Sequence, residues 1–282
     1  MKRIGYFNGT IGDYDDMQIP FSDRSVFYGD AVYDAVLVLN RRTFTLDMHL
    51  DRLYKSCAMT KIPFDMPREV LKGEIDRLLS LSEMGSIMLY LQVTRGAAPR
   101  KHEFPDDAEP NLLMFTSAVS IPPRDKRASL VSVEDLRFQY CNIKTTNLLP
   151  NVFAAQKAKE AGATEALLHR GDRVTEAAHS SILMAKDGTV IMPPLDELIL
   201  PGITREIVRQ ICEEAGIPTV IRIFTVDELM KADEIMLCST TKNVIFVYEI
   251  DRQQVGGKDR ALREKIQELF ARRVCAETGV SL

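Results

Sequence analysis

Asn142-Ile143-Lys144-Thr145-Thr146-Asn147-Leu148-Leu149-Pro150 sets one lysine among small polar residues, between a β-like run at 128–133 and a helical run that begins near Asn151. Such a strand-to-helix junction is a place where a partly buried amine, lined by polar dipoles, can lose its proton and form Schiff bases. The competing reading is a solvated surface lysine, one of many in a chain with 36 Lys and Arg residues. Cys141, three residues earlier, offers a second nucleophile type, although a free cysteine is more often a small buried hydrophobe.

Working outward, 282 residues give room for one large or two ordinary domains. A 45% hydrophobic and 27% charged composition excludes the disordered and collagen-like classes. The net charge of −4 and pI near 5.7, with basic residues scattered among acidic ones, leave no basic field for nucleic acid. The cysteines, Cys57, Cys141, Cys212, Cys238 and Cys275, are odd in number and widely spaced. With no Cys-x-x-Cys pair there is no signature of a metal site or a disulfide framework, and a reducing cytoplasm fits. The start, Met1 to Gly9, soon turns polar, and no apolar run approaches the roughly 20 residues of a membrane span. Neither export nor membrane insertion is expected.

The elements follow from periodicity. Asn8-Gly9 between two short β-like runs predicts an opening hairpin, because Asn-Gly favours the positive φ angles of a type I′ turn. A β-rich segment around 31–38 carries Tyr33. Helical spacing predicts one helix from Asp47 with Leu50, Leu53, Tyr54 and Cys57 inward, and another from Pro67 with Val70, Leu71, Ile75, Leu78 and Leu79. Strands are predicted at 87–93, 112–117, 163–169 and 235–238, the last followed by a partner at 244–250, with a hairpin turn at Lys186-Asp187-Gly188. A closing helix from Asp259 should bury Leu262, Ile266, Leu269 and Phe270. The proline-rich, charged stretch Ile121 to Arg127 is the best linker. The expected domains are therefore a small N-terminal α/β domain at 1–119, a linker at 120–127 and a larger C-terminal domain at 128–282.

Several side chains suggest chemistry, each beside a plainer role. Arg52 falls off the apolar face of its helix and reads locally as a solvated charge. Arg100 and His102, two apart in an extended loop, would point to one side and suit a carboxylate clamp, or form an exposed basic loop. Glu176 among small residues could meet a flat ligand or be an ordinary turn glutamate. Leu200-Pro201-Gly202-Ile203-Thr204 opens a helix whose N–H groups and hydroxyl suit a phosphate, or are plain capping. Ser239-Thr240-Thr241 could supply further donors.

Together these are the parts that hold pyridoxal 5′-phosphate: an amine for its aldehyde, an acid for its pyridine nitrogen, and several donors for its phosphate. In this order they resemble the fold-type IV pyridoxal-phosphate enzymes, or class IV aminotransferases, and within them the D-amino acid transaminase group. The resemblance runs over nearly the whole chain, through Gly29-Asp30-Ala31-Val32-Tyr33, His49-Leu50-Asp51-Arg52, Val93-Thr94-Arg95-Gly96, Arg100-Lys101-His102, Asn142-Ile143-Lys144, Val174-Thr175-Glu176, Gly202-Ile203-Thr204-Arg205 and Ser239-Thr240-Thr241.

The resemblance implies a two-domain α/β fold with the cofactor in the interdomain cleft, and a homodimeric enzyme of the cytoplasm. It implies ping-pong transfer of an amino group between D-alanine, D-glutamate or D-aspartate and 2-oxo acids, through pyridoxamine phosphate. Lys144 would form the Schiff base and move the proton. Glu176 would pair with the pyridine nitrogen, Leu200 would pack on the ring, and Arg52, Ile203, Thr204 and Thr240 would bind the phosphate. Tyr33 with Arg100 and His102, the last two crossing the dimer interface, would hold the substrate α-carboxylate, and Arg137 would support the site from behind. One departure is His179, in Ala177-Ala178-His179-Ser180-Ser181, where the family has small residues and serines followed by asparagine. It could line the pocket or point into the surrounding structure.

Other activities of the same fold are a branched-chain L-amino acid transaminase, an amine transaminase and aminodeoxychorismate lyase. The Arg100-Lys101-His102 loop favours the D-amino acid reading over these. A non-catalytic binding protein would need neither Lys144 nor Glu176, and a nucleotide-binding domain would need a glycine-rich phosphate motif that the chain lacks.

Overall fold

The computed structural model describes residues 3–281, so the polar start Met1-Lys2 and Leu282 lie outside the described residues. The chain folds as two compact units. One holds the residues up to Ser120 with Ile143–Asn147 and Glu277–Val280, the other Ile121–Asn142 and Leu148–Ala276. Both combine helices with a sheet, the expected α/β class.

The first unit opens with the predicted hairpin, β1 (Ile4–Phe7) and β2 (Thr10–Asp13), turning at Asn8 (φ 42°) and Gly9 (φ 92°). A short helix that periodicity did not reveal, α1 (Arg24–Tyr28), starts where the Asp23 carboxylate accepts the Ser25 N–H and stops at Gly29, φ 60°. Then come β3 (Ala31–Leu39), β4 (Arg42–Thr43), α2 (Leu46–Met59), α3 (Arg68–Ser80), β5 (Ser86–Thr94) and β6 (Asn111–Ala118). The antiparallel sheet runs β2-β1-β6-β5-β3-β4. Leu50, Leu53 and Cys57 of α2 and Leu71, Ile75 and Leu78 of α3 share one core with Val32, Val36 and Leu91 from the sheet. Each large side chain so removed from water contributes roughly 1.5–3 kcal/mol. Val70, expected inward, is 51% exposed, because α3 turns Leu71 and Ile75 to the sheet instead.

The second unit contains β7 (Arg127–Glu134), α4 (Leu149–Glu160), β8 (Glu165–Arg170), β9 (Arg173–Ala177), β10 (Ser181–Lys186), β11 (Thr189–Met192), α5 (Ile203–Glu214), β12 (Thr219–Ile221), α6 (Val226–Met230), β13 (Glu234–Ser239), β14 (Asn243–Ile250), β15 (Gln253–Gln254) and α7 (Arg260–Thr278). Its sheet runs β12-β11-β10-β13-β14-β7-β8-β9, with β15 against β14. The β14, β7 and β8 strands are parallel, and α4 makes the crossover from β7 to β8. Pro150 sits in the first turn of α4, where its missing N–H costs no helical bond. On α7, Ile266, Phe270, Ala271 and Val274 are buried. Leu262 and Leu269, expected inward, lie half-buried at the margins of that stripe.

Candidate active site

In the first unit, residues 143–146 add to the edge of β3. The Tyr33 N–H donates to the Lys144 carbonyl at 2.9 Å, the Thr146 N–H to the Ala31 carbonyl at 3.1 Å, and Val32 and Thr145 form an antiparallel bridge. Thr146 Oγ1 and Asn147 Nδ2 both donate to the Gly29 carbonyl at 2.9 Å. Gly29 has to be glycine here: its φ is +60°, and a Cβ would stand 2.9 Å from Asn147 Oδ1. Held this way, half-buried Lys144 brings its Nζ to 4.4 Å from the centre of the Tyr33 ring, a cation–π position. Behind it, Tyr33 stacks on Tyr90 at 5.4 Å and Tyr90 on Phe115 at 4.7 Å. The lysine is a constrained amine, and the two residues predicted to meet substrate from this unit, Lys144 and Tyr33, are in contact.

Arg52 is buried, 9% exposed, which corrects its local reading as a solvated charge. Strand alternation puts Asp34 on the face of β3 that α2 covers, and α2 presents His49 and Arg52 at the i, i+3 spacing that places them side by side. Arg52 Nε donates to Asp34 Oδ2 at 2.9 Å and Nη2 to Oδ1 at 2.8 Å, while His49 Nδ1 lies 2.7 Å from Oδ1. Burial alone would raise the Asp34 carboxyl, but Arg52 and His49 hold it well below the usual carboxylate range. Burial pushes the His49 imidazole down despite Asp34, so the ring is neutral and donates Nδ1–H to the carboxylate.

Arg100 and His102 are exposed and meet at one place. The His102 ring is centred 5.5 Å from that of Tyr28, and the Arg100 guanidinium lies 5.4 Å from the same ring centre. Buried Arg24 fastens the loop by donating to the Lys101 carbonyl at 2.7 Å. It is itself held, with Arg95, by 2.8 Å bonds to Asp30 Oδ2.

In the second unit, Glu176 on β9 is 6% exposed. Its Oε1 pairs with Arg137 Nη1, and its Oε2 accepts the Leu200 N–H at 3.3 Å. Arg137 is fixed in turn by Asp135, at 2.9 Å from Nε and 2.8 Å from Nη2. Burial pushes the Glu176 carboxyl up, and Arg137 and the Leu200 N–H oppose that rise without cancelling it. Helix α5 starts at Gly202 with no side-chain cap, leaving the N–H groups of Ile203 and Thr204 for an anion. A Cβ on Gly202 would come within 2.5 Å of Ser181 Oγ, so only glycine lets this helix start approach β10. Thr240 lies half-buried in the β13–β14 turn, where the Lys242 N–H donates to Ser239 Oγ at 3.3 Å.

The predicted residues thus fall into an amine with a phenol, a buried arginine and a basic loop in one unit, and a carboxylate, Leu200 and two sets of phosphate donors in the other. The donor set suits pyridoxal phosphate: a buried acid for a ring nitrogen and an uncapped helix start for a phosphate. Sequence reasoning missed Asp34, His49, Glu165 and Lys242. A carboxylate amid the valines of β3, and another opening the apolar strand β8, were the available signals.

Residues 31–250 match the family model for amino-transferase class IV. A D-alanine aminotransferase of Bacillus licheniformis is 38% identical over 276 residues, 97% of this chain and 98% of its own length. Among solved structures, the branched-chain aminotransferase of Thermoproteus uzoniensis with norvaline superposes with a TM-score of 0.90 at 21% identity, covering 98% of this chain and 96% of that one. A T.th. branched-chain amino acid aminotransferase with pyridoxamine 5′-phosphate gives 0.88 at 22%, covering 99% and 95%. These structures establish the fold, and with the full-length relative and the family match the chain belongs to the class IV aminotransferases.

Proposed function

We propose that this aminotransferase moves amino groups between D-amino acids, such as D-alanine, D-glutamate and D-aspartate, and 2-oxo acids, with pyridoxal phosphate as cofactor. The observation that carries the D-amino acid reading is the near-complete, collinear match to a D-alanine aminotransferase. The Arg100 and His102 pair on Tyr28 supports it from the side of substrate binding. Bound pyridoxal phosphate supplies the carbonyl that condenses with the amino group and the ring that takes up electrons from the broken Cα–H bond.

In this reading Lys144 is the amine that links to the cofactor, and once released it carries the proton between the substrate Cα and the cofactor C4′. Tyr33 keeps the lysine over one face. Glu176 receives the pyridine N–H, and Arg137 with the Leu200 N–H keeps that carboxylate aimed. Arg52, held by Asp34, joins Ile203, Thr204 and Thr240 on the phosphate, with Leu200 against the ring. Arg100 and His102 bind the α-carboxylate, because a guanidinium and an imidazole N–H fix its orientation and so which enantiomer reacts.

A second copy of the chain is the natural recipient of that loop. Phe21 (82% exposed), Phe104 (55%) and Phe27 (38%) stand around it, an apolar surface that a dimer would cover. The five cysteines are free thiols and no described helix is long and apolar enough to cross a membrane, which supports the cytoplasm.

The test is the visible absorbance of the purified holoenzyme, titrated with D-alanine and, in a fresh sample, with L-leucine. Bleaching by D-alanine alone is the expected result. A response to L-leucine alone moves the substrate to the branched-chain L-amino acids.

A further inference from the structure

His179, where the sequence departs from its family, lies in the turn between β9 and β10, three residues after Glu176. Its backbone N–H donates to Glu165 Oε1 at 2.7 Å, and the Ser180 hydroxyl donates to Oε2 at 2.8 Å. Lys242, from the β13–β14 turn that carries Thr240, donates from Nζ to the same Oε2 at 2.8 Å. The Glu165 side chain has no exposed surface. Burial opposes its charge, yet His179 and Lys242 hold it down to about 2, so it stays a carboxylate and ties the two turns together.

The His179 ring is oriented by this cluster. Its Nδ1 lies 3.0 Å from Glu165 Oε1 and 3.3 Å from Lys242 Nζ. An ammonium has donors and no lone pair, so in the neutral ring Nδ1 accepts from Lys242 and the proton sits on Nε2. In the charged ring Nδ1–H turns to Glu165, and Nε2 again carries a proton. The two nitrogens lie on opposite sides of the imidazole. With Nδ1 held inward and the side chain 55% exposed, Nε2–H faces out. The Lys242 ammonium behind it polarises the ring and makes that N–H a better donor.

We propose that His179 is a specificity-determining residue, offering its Nε2–H to the side-chain carboxylate of acidic substrates such as D-glutamate, D-aspartate and their 2-oxo acids. The neighbouring residues in both turns are the hydroxyls of Ser180, Ser181, Thr240 and Thr241, so His179 is the one ionisable ring between the carboxylate of Glu176 and the phosphate donors. A cofactor phosphate would be another anion within this chemistry. It already has the uncapped start of α5 and Thr240, whereas nothing else in these turns answers a second substrate carboxylate.

The inference rests on the D-amino acid reading, and the holoenzyme tests the two separately. Half-reactions of the wild type, His179→Ala and His179→Asn are followed by visible absorbance with D-alanine and with D-glutamate. The ratio of kcat/KM for D-glutamate to that for D-alanine should fall roughly tenfold in His179→Ala, the worth of one hydrogen bond to a charged group. His179→Asn, which restores a donor, should recover part of the loss. An unchanged ratio overturns the proposal, as does a parallel fall for both substrates with weaker pyridoxal phosphate binding, which would assign His179 to the phosphate. Wild type that bleaches with D-alanine retains the D-amino acid reading whatever the ratio does, and wild type inert to both substrates overturns both. Independently, nitrogen NMR of histidine-labelled wild type at pH 8, with four histidines to assign, should show the His179 proton on Nε2. A proton on Nδ1 contradicts the orientation.

Discussion

Lys144 illustrates how little a residue type says until its surroundings are known. Its position on the edge of β3, with Nζ over the Tyr33 ring, is what turns an abundant side chain into a positioned amine. Lys144→Ala should lower the half-reaction rate by roughly 10²–10⁴-fold or more while pyridoxal phosphate still binds. Stopped-flow absorbance checks the rate and equilibrium dialysis the binding. Asp34 makes the converse case, a residue that touches no reacting atom yet holds two that matter. Asp34→Ala would strip the Arg52 guanidinium and the His49 ring of a buried carboxylate. Breaking such a pair on one side costs about 3–5 kcal/mol, and urea unfolding of the variant should show a loss of that order. A loss below about 1 kcal/mol would show that Asp34 contributes no more than an exposed pair.

At the scale of elements, the phosphate donors depend on how closely α5 approaches β10. Gly202 has an ordinary φ of −68°, so alanine there meets no backbone strain, only the 2.5 Å contact with Ser181 Oγ. Gly202→Ala should therefore push the helix start away and weaken pyridoxal phosphate binding about tenfold, a cost of the order expected for overpacking. Adding Ser181→Ala removes the opposing oxygen and should restore the affinity. Cofactor titrations of the single and double variants decide it, and equal affinities in both would show that the contact is not the cause. The aromatic stack Tyr33, Tyr90 and Phe115 is a second such device. It spans three adjacent strands, β3, β5 and β6, and fixes the ring beneath Lys144 from behind.

For the whole molecule, buried carboxylates tie stability to pH. The Glu165 carboxyl is held down to about 2, against 4.5 when unperturbed. A carboxylate depressed in the folded state contributes stability that is present above its unfolded pKa and is lost as pH falls through the folded one. Glu165→Gln should thus be less stable than wild type at pH 7, and the gap should close as pH falls from 4.5 towards 2. Urea midpoints across that range measure it, and a gap that persists at pH 2 would assign the loss to packing alone. The sequence by itself determined the elements that announce themselves by period or turn chemistry, among them the Asn8-Gly9 hairpin, α2, α3, and the β13 and β14 pair. It also determined the family, because Lys144, Glu176 and the start of α5 are local motifs in a fixed order. Short α1 escaped it, since five residues carry no helical period, as did the inward orientation of Arg52. Whether a charge is solvated depends on a partner far away in the chain. Only the tertiary structure set Asp34 against α2, Arg137 against Glu176 and Glu165 between His179 and Lys242, because pairing across strands and turns is not written in the spacing of either partner.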